Sequence, residues 1–139
     1  MKSVQALNHI GIAVRSISEQ IPFYRDVLGL EYEAEETIAL QNVRVAFFRI
    51  GSVRVELLEP TDPESALARF LEKRGEGLHH IAYTVEDLAS RIEELKREGI
   101  RMIDAEPRPG AQQMKIAFLH PGSTHGVLTE LCEPAGDQG

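Results

Sequence analysis

The chain is written twice. LNHIGIAV at 7–14 and LHHIAYTV at 78–85 share Leu, His, Ile and Val at matching places, 71 residues apart. VRVAFFRIGS at 43–52 and MKIAFLHPGS at 114–123 share Ala-Phe and Gly-Ser at the same offset of 71. VRVELLEP at 53–60 and VLTELCEP at 127–134 match at an offset of 74, so the second copy holds three extra residues in the preceding loop. Gly29-Leu30 and Gly99-Ile100 align at 70. Four blocks in one order define a duplicated supersecondary unit, and a duplication restricts the fold more than composition does.

Each copy reads as βαβββ. First strands are expected at about 7–14 and 78–85. In copy one a helix follows from Ser16, where S-I-S-E has the form of a capping box, and Gly29 marks its end. Pro22 conflicts with that helix and argues for a start at Ser18 or later. In copy two EDLASRIEELKRE has apolar residues at 88, 92 and 95, and Gly99 stops it. Three strands complete each copy, at about 30–36, 43–50 and 53–59, then 100–104, 114–120 and 126–133. The modules span about 5–60 and 76–134 of a single 1–139 domain. A linking helix at about 63–74 joins them, with Asp62 as N-cap, Pro63 in the first turn, Leu67, Phe70 and Leu71 as its apolar stripe, and Gly75 at its end. The tail EPAGDQG is expected to fray. The predicted class is α+β, built from tandem βαβββ modules.

Bulk numbers exclude some functions. With 15 basic against 22 acidic residues, a net charge of −7, the chain lacks the basic face of a general nucleic-acid binder. One cysteine, Cys132, allows neither an internal disulfide nor a thiolate zinc cluster, which points to a reducing compartment. No apolar run is long enough to cross a bilayer, and MKSVQALNHI has no signal-peptide pattern, so a cytoplasmic protein with no membrane partner is expected.

Alternation along the strands selects the functional candidates. Ile10, Ile12 and Val14 share one face of the first strand; His9, Gly11 and Ala13 share the other. In the fifth strand Ile81, Tyr83 and Val85 match the first set, and His80, Ala82 and Thr84 the second. His80, rather than His79, is therefore the twin of His9, and each lies among small neighbours that leave space. Glu56 and Glu130 interrupt apolar runs at the same place in both last strands. An inward carboxylate there is costly without a cation to pair with it. A single strand histidine or glutamate is ordinarily structural or solvated; it is the repetition of both that points to a metal. If the copies pair about a pseudo-twofold axis, His9, Glu56, His80 and Glu130 can converge on one ion, and two imidazoles with two carboxylates suit Zn, Co, Ni, Mn or Fe(II). Glu59 and Glu133, each before a proline, are read as structural or exposed. His79, His120 and His125 carry no metal role, and Cys132 reads as a small buried apolar residue. Arg44, Arg49, Arg108 and Lys115 read as surface charges.

At NHIGIAV, FYRDVLGL, VELLEP, ALARFLEKRGEGLHHIA and PRPGAQQMKIAFLHPGSTHGVLTEL the sequence resembles the vicinal oxygen chelate superfamily, and within it the methylmalonyl-CoA epimerases, over about 5–134. That resemblance implies a cupped mixed sheet and a metal held by His9, Glu56, His80 and Glu130. It also implies one divalent ion, Co2+ by preference and otherwise Zn2+, Mn2+ or Ni2+, a CoA thioester as the small-molecule substrate, and a homodimer. The implied reaction interconverts (2R)- and (2S)-methylmalonyl-CoA by proton transfer alpha to the thioester through a stabilised enolate. From the pseudo-twofold symmetry, Glu130 is expected to serve as ligand and base, with Glu56 as its opposite number. The alternatives are glyoxalase I, which uses the same proton transfer, an Fe(II) dioxygenase, and, from another class, a metal-free binding protein of the same fold. Some epimerases carry a glutamate in the third strand; here that place is Val45 and its repeat twin is Ile116. GAQQ at 110–113 and HPGS at 120–123 also depart from the common GAHG and HPKS.

Overall fold

The computed structural model describes residues 3–135; of the tail expected to fray, 136–139 lie outside the described residues. The chain divides into two compact units, one of His9–His79 and one combining the stretch up to Asn8 with the chain from His80 onward.

The first unit carries a four-stranded mixed sheet in the order β2-β3-β4-β1, with β1 at Ala6–Ala13, β2 at Glu31–Ile38, β3 at Val43–Ile50 and β4 at Val53–Pro60. β1 lies parallel to β4, while β2, β3 and β4 run antiparallel. One face packs Val14, Ile17, Ala46, Phe48 and Leu57 into a core, closed by Tyr24 and Tyr32. Helix α1 (Ile17–Ile21) supplies that core and is capped by Ser16, whose side chain accepts the Glu19 N–H at 3.3 Å. Pro22 does not delay the helix. Instead the chain widens into a π-helical turn at Pro22–Val27, in which the Leu28 N–H reaches back to the Phe23 carbonyl at 2.9 Å. A proline cannot donate the ordinary helical bond, and the wider turn accommodates the missing donor. Gly29 then leaves at φ +82°, matched by Gly99 at φ +84° after the second unit's helix, and this left-handed exit needs glycine.

Helix α2 (Ala66–Arg74) also belongs to the first unit and buries Leu67, Ala68 and Leu71. Its cap corrects the expected start at Asp62-Pro63. Ser65 caps it by accepting the Ala68 N–H at 3.1 Å, while the Asp62 carboxylate takes the Glu64 N–H at 2.9 Å in the turn before. Gly75 ends the helix as expected.

The second unit has the strand order β5-β8-β7-β6, with β5 at Gly77–Thr84, helix α3 at Leu88–Arg97, β6 at Arg108–Pro109, β7 at Lys115–Leu119 and β8 at Thr129–Glu133. β5 is parallel to β8, and β6, β7 and β8 are antiparallel. Val85, Leu88, Ile92, Ala117, Leu119 and Leu131 form the core under α3. The strand expected at 100–104 does not form. Met102 makes an isolated bridge to Leu119, and the Asp104 carboxylate takes the Phe118 N–H at 2.8 Å in place of a backbone partner. Pro107 lacks a donor, and pairing resumes at Arg108–Pro109. The last strand starts later than 126 because the three extra residues fall in a turn-rich loop, with a 3-10 turn at Pro121–Ser123 and Gly126 bonded back to Pro121 at 2.9 Å.

Candidate active site: a histidine–glutamate pair in each unit

β1 alternates as its sequence requires. His9, Gly11 and Ala13 lie on the sheet face away from α1 and are buried. Parallel pairing sets Gly11 beside Glu56, and antiparallel pairing sets Phe47 opposite Glu56. The small residue leaves room for the His9 ring to lean over. His9 Nδ1 stands 3.2 Å from Glu56 Oε2, and both residues are at most 3% exposed.

The second unit repeats the arrangement. Ala82 lies beside Glu130 and Phe118 opposite it. His80 Nε2 stands 3.2 Å from Glu130 Oε1, with both residues about 5% exposed. The His80 ring meets Phe118 edge-on, centroids 5.4 Å apart. Apolar neighbours Ala82, Met114, Ile116, Phe118 and Cys132 form the wall of this face. The structure thus brings His9 to Glu56 and His80 to Glu130, each within its own unit. His79, one residue from His80, turns the other way and packs edge-on against Phe70 at 4.8 Å.

Burying a carboxylate in an apolar wall is costly without a cation to balance it. Each pair also presents a nitrogen and a carboxylate oxygen, the donors a borderline divalent ion takes. The residues present therefore fit a metal of that kind.

The family model for the Glyoxalase/Bleomycin resistance protein/Dioxygenase superfamily matches residues 8–118. The chain belongs to this superfamily. Within the superfamily it is similar to an ethylmalonyl-CoA/methylmalonyl-CoA epimerase of Cereibacter sphaeroides, 39% identical, covering 90% of this chain and 95% of that one. An uncharacterized Bacillus subtilis protein, YqjC, is 51% identical over 95% of this chain and 94% of its own. Among solved structures, a Streptomyces coelicolor methylmalonyl-CoA epimerase variant in complex with 2-nitronate-propionyl-CoA superposes with a TM-score of 0.93 at 38% identity, covering 99% of both chains. The resemblance to superfamily epimerases read from the sequence motifs is borne out.

The remaining polar residues have local roles in this superfamily member. Glu59 accepts the Ile17 N–H at 2.7 Å, and Glu133 accepts the Leu88 N–H at 2.8 Å, so each repeated carboxylate ties the last strand of its unit to the first turn of that unit's helix. Arg44 pairs with Glu35, Arg49 with Glu33 at 3.1 Å, Arg108 with Asp104 at 2.8 Å, and Lys115 lies 3.9 Å from Glu133. His120 Nδ1 accepts the Gly122 N–H at 2.9 Å within its own turn, and His125 stands in a turn at φ +58°. Cys132 is fully buried, as expected of a small apolar residue, yet its thiol donates to Glu130 Oε2 at 2.9 Å. The signal for that bond was its place two residues beyond Glu130, on the same strand face.

Proposed function

We propose that the chain is a methylmalonyl-CoA epimerase in which His9, Glu56, His80 and Glu130 hold one divalent ion, cobalt by preference. The observation that carries this reading is the duplicated buried pair, His9 with Glu56 and His80 with Glu130, each at 3.2 Å. Together the two pairs offer two imidazole nitrogens and two carboxylate oxygens, a donor set that suits one divalent ion. The similarity to epimerases along nearly the whole chain supports the substrate class, a CoA thioester. When bound, the ion supplies electrophilic stabilisation of charge building on the substrate oxygens.

The chain's own residues do the rest. A carboxylate oxygen, Glu130 in the first assignment, removes the hydrogen alpha to the thioester. Glu56, in its protonated form, returns a proton to the other face, and the two carboxyl groups have then exchanged states, so nothing is consumed over a forward and reverse cycle. Val45 and Ile116 offer no further base in the third strand of either copy. Phe47 and Phe118, each opposite its glutamate, limit the water that reaches the carboxylates. A homodimer in the cytoplasm is the setting the resemblance implies; among the described residues no helix is long and apolar enough to cross a membrane.

The test is isotopic. Protein reconstituted with Co2+ and given (2R)-methylmalonyl-CoA in D2O is expected to wash deuterium into the alpha position and equilibrate the two forms. Metal-stripped protein is expected to do neither until the ion is restored. Isomerisation of the methylglyoxal–glutathione adduct without exchange into methylmalonyl-CoA would instead make the chain a glyoxalase I.

A further inference from the structure

The two pairs differ in the residue two places beyond the glutamate. On the face that carries the glutamate, the residue two places on is Leu58 after Glu56 and Cys132 after Glu130. Cys132 is 0% exposed and belongs to the apolar cluster of Ala82, Met114, Ile116 and Phe118. A thiol in such a cluster needs no partner, since free cysteine behaves as a small hydrophobe. This one nonetheless donates to Oε2 of Glu130 at 2.9 Å, while Oε1 of the same carboxylate faces His80 Nε2 at 3.2 Å. Both carboxylate oxygens are thereby given separate directions.

We infer that Cys132 is a positioning residue for Glu130. Its S–H engages Oε2 and keeps Oε1 turned to His80, so that the carboxylate is held in one orientation. Leu58 can make no such bond, which leaves the Glu56 carboxylate without this constraint from its i+2 neighbour. This rests on the metal reading above. A partner that orients a ligand commonly sets metal affinity by about 10- to 100-fold.

Matched pairs of substitutions separate the hydrogen bond from packing. Cys132→Thr and Cys132→Val have nearly the same shape, and only the first keeps a donor; Cys132→Ser and Cys132→Ala are a smaller pair of the same kind. Binding of Co2+ alone to full-length, metal-stripped protein is measured by calorimetry, with thermal unfolding of the metal-free proteins run beside it. The valine variant is expected to bind about tenfold or more weakly than the threonine variant, and alanine more weakly than serine, although packing in an apolar cluster favours Val and Ala. Equal affinity within both pairs, or tighter binding by Val and Ala, overturns the inference. So does a thiolate-to-cobalt charge-transfer band in the parent protein that Cys132→Ser abolishes, because the sulfur would then be a ligand itself. If Val and Thr fail to fold, the Ser and Ala pair decides alone. A parent protein that binds no divalent ion defeats the metal reading instead, so the two failures are distinguishable.

Discussion

The two units share one face and differ on their second strand. In the first, β2 runs for eight residues along β3. In the second, the edge strand beside β7 is reduced to Arg108 and Pro109, with an isolated bridge at Met102 and the Asp104 carboxylate taking the Phe118 N–H. Yet His9–Glu56 and His80–Glu130 have the same separation, the same small neighbour in Gly11 or Ala82, and the same phenylalanine across the ladder in Phe47 or Phe118. The parallel first and last strands are therefore the part that the duplication has kept alike. The likeness is one of strand placement, since His9 meets its glutamate through Nδ1 and His80 through Nε2.

That comparison is most severely tested at the pairs themselves. His9→Ala and His80→Ala are expected to lower kcat/KM by similar factors, on the order of 10²- to 10⁴-fold, as are Glu56→Gln and Glu130→Gln. Steady-state epimerisation with metal content measured on the same samples reads this. A loss confined to one unit, with the twin substitutions nearly silent, would break the equivalence and assign the chemistry to one half.

Next in size are the carboxylates that tie strand to helix. Glu59→Ala and Glu133→Ala each leave a helix N-terminal donor, Ile17 N–H or Leu88 N–H, without its charged acceptor. Each is expected to cost about 2 kcal/mol in urea unfolding, a charge-assisted hydrogen bond being worth about 1.5–3 kcal/mol. Similar costs would extend the likeness of the units from the site to its support. A cost at Glu133 alone would limit it to the second unit.

How much of this could be read from residues alone follows the same division. The βαβββ order and the choice of His80 over His79 were legible because a period of two and an offset of 71 are properties of the chain itself. The inward carboxylates were legible for the same reason. What was not legible depends on one group answering another at a distance in sequence. Ser65 rather than Asp62 caps α2, and both residue types make good caps. Pro22 does not delay the helix start but opens a widened turn, in which Tyr24 packs on Phe48 with centroids 5.7 Å apart. At 100–104 only an isolated bridge forms, and the Asp104 carboxylate takes the Phe118 N–H, a partner 14 residues on that local pattern does not reveal. The bond from Cys132 required knowing the rotamer of Glu130.

Asp104 gives a smaller test, of the edge that differs. Besides the Phe118 N–H it pairs with Arg108 at 2.8 Å, and the Arg108 guanidinium lies over the Phe118 ring, 5.8 Å from its centroid. Asp104→Ala is expected to cost about 1–2 kcal/mol by leaving the Phe118 donor unmet. Because Phe118 faces Glu130 across the ladder, a modest fall in kcat should accompany it. An unchanged unfolding midpoint would mean that backbone or water replaces the carboxylate.

The smallest effect belongs to the first unit's own edge. Arg49 and Arg54 are direct cross-strand partners, and like charges so placed repel. Glu33 lies where β2 shifts register, between Tyr32 and Ala34, and it bridges both: Oε1 to Arg54 Nε at 2.8 Å and Oε2 to Arg49 Nε at 3.1 Å. The hydrogen bond from Arg54, with that from Arg49, holds the Glu33 carboxyl below the usual glutamate range against the opposing effect of burial. A lowered folded-state value means that the unfolded chain takes up the proton first as pH falls. The stabilisation is therefore whole above the unfolded pKa and disappears as pH drops through the lowered one. Glu33→Gln is expected to cost a few tenths of a kcal/mol at neutral pH, since the side chains are partly exposed. Unfolding curves of parent and variant should converge in acid. A gap that persists below the folded-state pKa would show that the bulge itself, rather than the charge it positions, was disturbed.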